Sequence, residues 1–510
     1  MTISEFLDRE TNTKLSLLRF LYLEGHWYST KKIADSTEMD QRTVLKYLKL
    51  LQADSLLYLE TDISPIQQEK GKGHRFVGDA LDYHRIYFQL VKNSINFSFL
   101  TDLYFYDEID VEDFCERHYI SDTVAKKIFK RGNDFFKPYE LQLTYAKGKV
   151  TFTGNERSIR YFGYIFFWGL FKGITWPFEE IIEEEHVKSF LEKQFSRYSI
   201  MKTISHAQWC YILAVNICRI KNGHEITADN LPEYAEELNQ TLFFTSSEVF
   251  DSEMLLENFY ALYPTTRAEF DYFALITQIG VRVYLIPSVL DRAFAFHKQN
   301  QTPIYTMYEL LTDTFSEELK NADSETQKLV DSLIFATFIT ASLFPSFNTT
   351  VTGYDFDNYL SLTFPSLRKE MSSRLEAMRQ HSDSPLLKDE SLLVSRFCEL
   401  YSLVGHPSDF NPVIHIKLET DLPIVMEKVI SMQLASALSP FFKISILSPI
   451  EVQEAISPDL IIASTQIRVE EQSVNIVYIN PALAAKDIKL ITEKVSVINK
   501  IKAVQASYIS

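Results

Sequence analysis

The chain has 510 residues, 46% apolar side chains and only 14 glycines and 17 prolines, which excludes disorder and long flexible linkers and leaves room for several cores. Its net charge of −17 argues at first against a nucleic-acid binder, but the charge is uneven. Residues 1–160 hold 23 Lys and Arg against 24 Asp and Glu, leaving 28 against 44 for the remainder, so the acidity lies outside the N-terminal part.

In chain order, Leu15–Tyr22 reads as an apolar-periodic helix packed beneath a helix-turn-helix. The latter is the stretch Ser29–Leu51, STKKIADSTEMDQRTVLKYLKLL. Ser29 or Thr30 caps a short helix with Ile33 and Ala34 inward, Thr37–Asp40 makes the turn, and Asp40 caps a second helix with Val44, Leu48 and Leu51 on one face. That spacing turns Gln41, Arg42, Thr43, Lys46 and Lys49 outward, where a recognition helix would meet a DNA major groove. A strand is expected at Leu56–Leu59. Then Gln67–Gly78, QQEKGKGHRFVG, reads as a basic hairpin tip with Lys70, Lys72, His74 and Arg75, the wing of a winged helix suited to phosphate contacts.

Asp79–Tyr106 reads as helical linker, with Tyr83, Ile86, Tyr87 and Leu90 on one face. The layout then repeats. Val111–Arg117 is a helix, His118–Ile120 a turn, and Ser121 caps SDTVAKKIFKRGNDFF. Val124, Ile128 and Phe135 are expected inward, with Thr123, Lys126, Lys127, Lys130 and Arg131 outward. Leu141–Thr144 and Val150–Thr153 make a second hairpin, with Lys147 and Lys149 at its tip.

From Glu156 to about Leu403 the pattern is helical, in two sections separated near Gly280–Pro287. Expected helices are Ile204–Arg219 and Met254–Ile279 in the first, and Val289–His297, Tyr305–Phe315, Ser324–Leu343 and Glu370–Arg379 in the second. No phosphate loop, serine elbow or paired metal ligands occur in these sections, so neither a catalytic nor a metal site is expected. Cys115, Cys210, Cys218 and Cys398 fall in apolar or helical contexts without metal-ligand spacing, and Cys210 and Cys218, eight apart on one helix, read as core thiols rather than a disulfide. From Asn411 strands alternate with helices: Pro412–Leu418, Leu422–Leu438, Phe442–Leu447, Val452–Ile456, Leu460–Ser464, Val474–Ile479 and Ala484–Ile501. This is the pattern of a small parallel α/β sheet. The polar opening Thr2–Glu10 and the short apolar run Tyr161–Phe171 lead to the expectation of a cytoplasmic protein with no membrane partner.

This order of units, with STKKIADSTEMDQRTVLKYLKLL and DVEDFCERHYISDTVAKKIFKRG, resembles the Mga/AtxA family of virulence and metabolism regulators of Gram-positive bacteria. The resemblance implies a multidomain, mainly α fold in five parts. These are a winged helix-turn-helix at 1–80, a second of Mga type at 81–160, phosphotransferase-system regulation domains at 161–282 and 283–405, and an enzyme IIB-like α/β domain at 410–510. It implies a non-enzymatic, cofactor-free regulator, most simply an activator, bound to double-stranded promoter DNA through Gln41, Arg42, Thr43, Lys46, Lys49, Lys72, Arg75, Thr123, Lys126, Lys127 and Lys130. Phosphocarrier HPr or enzyme I would phosphorylate His206, His224 or His297, with His381 a weaker site. A histidine seven residues before the arginine is more typical of these domains, and Ile212 stands there. The loop Glu419–Pro423 lacks the cysteine of a working enzyme IIB, which leaves that domain a role in self-association. The rival readings are an RNA-binding antiterminator, which would open with a small β-rich domain, and a phosphotransferase component.

Overall fold

The computed structural model describes residues 6–195, 203–243, 265–286, 288–345, 347, 360, 363–447, 457–467, 475–480 and 483–507. Contacts group the chain into two compact units, Met1–Phe296 with Ser342–Tyr354, and His297–Ala341 with Asp355–Ser510.

The first unit opens with three helices, α1 (Arg9–Glu24), α2 (Thr30–Thr37) and α3 (Gln41–Leu59), and then the antiparallel pair β1 (Ile66–Glu69) and β2 (Gly73–Phe76). Leu17, Leu18 and Leu21 of α1, Ile33 and Ala34 of α2, and Val44, Leu48 and Leu51 of α3 are all buried. The strand expected at Leu56–Leu59 is instead the last turn of α3. No helix breaker stands between Leu51 and Leu59, and each residue added to a formed helix costs little. The helix stops where Glu60 takes a left-handed conformation, φ 51°.

Next come α4 (Ala80–Lys92), α5 (Ile95–Tyr106), β3 (Glu108–Asp110), α6 (Val111–Arg117), α7 (Asp122–Phe136), β4 (Gln142–Ala146), β5 (Lys149–Thr153) and α8 (Glu156–Phe171). The hairpin β4–β5 gains β3 on its far side, giving the antiparallel order β3-β5-β4. Helix α8 runs through the boundary expected at 160. It is buried nearly all round, as a helix apolar on every face must be. Its aromatic rings join neighbouring elements: Phe162 lies 4.9 Å from Phe136, and Tyr161 stacks on Phe344 at 4.0 Å. Helices Glu184–Phe195, Thr203–Lys221, Ala235–Phe243 and Arg267–Gln278 follow in this unit, and Val289–Gln299 begins in it. Residues 254–264 of the helix expected at Met254–Ile279 lie outside the described residues.

In the second unit, helices Pro303–Thr314, Ser324–Leu343, Pro365–His381 and Glu390–Val404 precede an α/β section. Its strands β6 (Ile414–Glu419), β7 (Ile444–Leu447), β8 (Leu460–Ala463) and β9 (Asn475–Tyr478) are all parallel, in the order β7-β6-β8-β9. Helices Ile424–Leu438 and Ala485–Ser507 cover a core of Ile414, Ile416, Ile462, Val477, Leu434 and Ile491. The helix expected at Val452–Ile456 lies outside the described residues. Among the described residues no helix is long and apolar enough to cross a membrane.

Candidate nucleic-acid interface

In the first helix-turn-helix, Ser29 Oγ accepts from the Lys32 amide at 3.2 Å and opens α2. The turn needs a left-handed residue, and Glu38 supplies it at φ 55° where glycine would be the easier choice. Asp40 then caps α3, accepting from the Thr43 amide at 2.9 Å. With Val44, Leu48 and Leu51 fixed inward, Arg42, Lys46 and Lys49 fall at i, i+4 and i+7 on the opposite, exposed face beside exposed Gln41. Thr43 departs from the expectation. It is half-buried and its hydroxyl donates to Asp40, so it serves the cap before any base edge.

The first wing is built rather than loose. Its tip is Lys70–Lys72, held by the register Glu69↔Gly73. Arg75 lies over the Trp27 ring at 4.6 Å and donates through Nε and Nη2 to Gln67 at 3.1 and 2.9 Å, a pre-set guanidinium. Lys72 pairs with Glu69 at 2.7 Å. His74, expected at the tip, is buried, and burial lowers its pKa. Its backbone exchanges hydrogen bonds with Tyr28 at 2.9 and 2.8 Å, which fastens the wing to the start of α2. Gly73 permits that approach: it has φ 103°, and a Cβ there would lie 2.0 Å from the Tyr28 oxygen.

The second motif repeats the plan with differences. Asp110 caps α6 by accepting from Glu112 and Asp113, at 3.0 and 3.2 Å. Ser121 occupies the cap position of α7 without making the side-chain bond. Ala125, Ile128, Gly132 and Phe135 face inward, and Val124, expected with them, is exposed. Ile128 and Phe135 stay inward as expected, and Ala125 takes the place of Val124 on the same side as Gly132, which meets β4 closely; a Cβ there would come within 2.6 Å of a Leu143 methyl. Thr123, Lys126, Lys127 and Lys130 remain exposed, with Lys126 paired to Asp122 at 2.7 Å. The second wing turns at Lys147 and Gly148, φ 52° and 83°, the double left-handed geometry of a tight hairpin. Lys149 pairs with Glu108 of β3.

Sequence reasoning missed how the two motifs are joined. Phe6 is buried against Phe135, rings 5.8 Å apart, and its carbonyl accepts from Asn96 at 2.8 Å. Arg131, expected to face outward freely, donates to the Leu7 carbonyl at 2.7 Å. Between α1 and α7 lies a cavity of about 490 Å³ whose lining includes Arg9, Thr13, Ser16 and Arg131.

The three candidate histidines have unlike surroundings. His206 is half-buried, with Nδ1 3.9 Å from Cys210 Sγ, and burial lowers its pKa. His224 Nε2 lies 2.7 Å from Asp107 Oδ1. His297 is fully buried, bonded through Nδ1 to Thr302 Oγ1 at 2.8 Å and stacked on Phe335, and burial pushes its pKa down to about 4. In the terminal sheet, the loop after β6 carries carboxylates instead of a thiol. Asp421 accepts from Ser464 Oγ at 2.7 Å, and Glu427 accepts from Thr420 at 2.7 Å.

Two successive helix-turn-helix units, each with outward cations on its second helix and a lysine at its wing tip, define the scaffold of a nucleic-acid-binding regulator. Residues 79–167 match the Mga helix-turn-helix domain, from the cap of α4 into the last turns of α8. Over 404 residues the chain is 24% identical to a trans-acting regulator of Streptococcus pneumoniae, covering 75% of this chain and 76% of that one. It is 23% identical over 238 residues to the anthrax toxin expression trans-acting positive regulator of Bacillus anthracis, covering 44% and 45%. It is also 20% identical over 327 residues to the capsule synthesis positive regulator of the same organism, covering 62% and 63%. These relatives are all named as regulators, and the match to the Mga helix-turn-helix domain falls on the second of the two motifs.

Proposed function

We propose that this protein is a DNA-binding transcriptional regulator that acts positively, as the names of its relatives suggest for them. The observation that carries the reading is the pair of recognition-type helices, α3 and α7. Their exposed faces hold Arg42, Lys46 and Lys49 in one, and Lys126, Lys127 and Lys130 in the other. Phosphate contacts from these cations would supply affinity, and Gln41 and Arg42, both exposed, would make base-edge hydrogen bonds in a major groove. Lys72 and Arg75 of the first wing would hold the flanking backbone. Phosphorylation by HPr or enzyme I is proposed at His224, whose ring is partly exposed, or at His206, half-buried with its Nε2 covered; at His297 the buried ring would first have to be uncovered.

Self-association is proposed through the terminal domain. Ile424, Val425, Val429 and Met432 on helix Ile424–Leu438 are exposed. Leu438, expected among them, is buried, since it continues the inward row Ile430, Leu434. A symmetric dimer would place paired motifs on neighbouring turns of a duplex.

Footprinting the purified chain on promoter duplexes tests the central reading. Protection that disappears when all six helix cations become alanine is expected. Unchanged duplex affinity of that variant at moderate salt would refute the assignment. Light scattering of Met432→Lys and Val425→Lys tests the dimer, which should dissociate.

A further inference from the structure

Six ionisable side chains in the first unit form a continuous row that crosses from the Mga-type domain into the helical section behind it. Glu269 takes Arg160 in a bidentate pair, Nη1 and Nη2 at 2.5 and 2.7 Å. Arg160 Nε donates to Glu156 at 3.0 Å. Glu156 in turn takes Arg219 through Nε and Nη2, at 3.0 and 2.9 Å. Arg219 Nη1 reaches Asp107 Oδ1 at 3.0 Å, and His224 Nε2 reaches the same oxygen at 2.7 Å. The arginines and Glu269 have side chains 1% exposed or less, whereas Asp107 is 31% and His224 36% exposed. The row is therefore sealed at the Glu269 end and open at His224.

Asp107 is where this row meets the second helix-turn-helix. It ends α5 with φ 66°, a conformation that costs a non-glycine residue of order 1 kcal/mol or more unless its surroundings hold it there. The next residue starts β3, which pairs with the wing strand β5, and Asp110, three residues on, caps α6. Arg219 and His224 together hold the Asp107 carboxylate.

We propose that Asp107 is the joint through which the charge on His224 is read by the second helix-turn-helix. This rests on the proposed phosphorylation only for the source of that charge. In that step Nε2, unprotonated in the Nδ1–H tautomer, attacks the phosphorus of a phosphohistidine carrier; the new N–P bond forms as the carrier's N–P bond breaks, and the Nδ1 proton leaves as the carrier's imidazole takes one up. The product has about −2 charge where a hydrogen-bond partner of Asp107 had been. Arg219 is within reach of both groups and turns to the stronger anion. Asp107 loses both of its partners, its left-handed backbone is no longer held, and β3 and the α6 cap loosen. A carboxylate at position 224 imposes the same sign of charge without any phosphoryl donor.

Hydrogen–deuterium exchange on the full chain tests this. In His224→Glu, amides 108–117 should exchange roughly tenfold or more faster, about what losing one charged hydrogen bond allows. Amides of α3 should be unchanged, and His224→Gln, neutral and able to hydrogen-bond, should behave as the parent. Parent-like exchange in His224→Glu would overturn the proposal, and so would equal acceleration in both variants. Incubation with phosphorylated HPr is the separate arm. A label on His224 with faster exchange at 108–117 supports the whole scheme. No label removes His224 as an acceptor, while the glutamate variant still decides the joint.

Discussion

Removing Glu269 is the sharpest perturbation of the buried ionic row. In Glu269→Ala, Arg160 keeps its charge inside the protein with Glu156 as its remaining carboxylate partner, and the Ile226 amide, bonded to Glu269 at 2.6 Å in the parent, loses its acceptor. Breaking a buried pair by deleting one partner costs about 3–5 kcal/mol, most of it the stranded charge. The orphaned amide adds about 1 kcal/mol or more. A loss of about 4–6 kcal/mol is expected, a large share of the ~5–15 kcal/mol that folded domains possess. Replacing both partners, Arg160→Met with Glu269→Leu, removes the charge as well as its partner. That double variant should recover at least about 2 kcal/mol of the loss. Urea unfolding followed through Trp168, Trp176 and Trp209 reports on the elements concerned. A single variant within about 1 kcal/mol of the parent would refute the reasoning, and so would a double variant as unstable as the sum of the two singles.

Three further outcomes rest on particular side chains. His297 is held neutral by burial with a pKa of about 4 against 6.5, so between those values the unfolded chain takes up a proton that the native one refuses. Its contribution is intact above about pH 6.5 and falls by roughly 3 kcal/mol as pH drops to 4; His297→Gln should flatten the stability–pH curve there, and an unchanged slope refutes it. Gly163→Ala places a Cβ 2.3 Å from the Tyr104 ring carbon and hydroxyl, and should cost about 1–3 kcal/mol in a thermal melt; a parent-like midpoint would count against the packing of α5 on α8. Asp40→Ala removes the α3 cap and should lower the melting midpoint while weakening DNA binding, both read from one preparation by denaturation and fluorescence anisotropy; parent-like affinity would separate the cap from recognition.

The helix-turn-helix units, the two wings and the alternation of the terminal sheet are written in the residues themselves, because those features are local. A cap residue, an apolar row at helical spacing and a glycine at a hairpin tip act within a few residues, so Asp40, Val44–Leu51 and Lys147–Gly148 could be read directly. Other features come from long-range packing. Leu56–Leu59 has strand composition, yet it continues a helix because nothing upstream ends one. Ala125 rather than Val124 faces inward, on the side of α7 where Gly132 lets β4 approach closely. The pairing of β3 with the second wing, the docking of Phe6 and Leu7 on α5 and α7, and the row from Glu269 to His224 join residues far apart in the chain. No periodicity records such contacts. They arise because buried charges and backbone groups must find partners wherever folding brings them, and the chain order of Asp107, Glu156, Arg160, Arg219, His224 and Glu269 says nothing of which will meet.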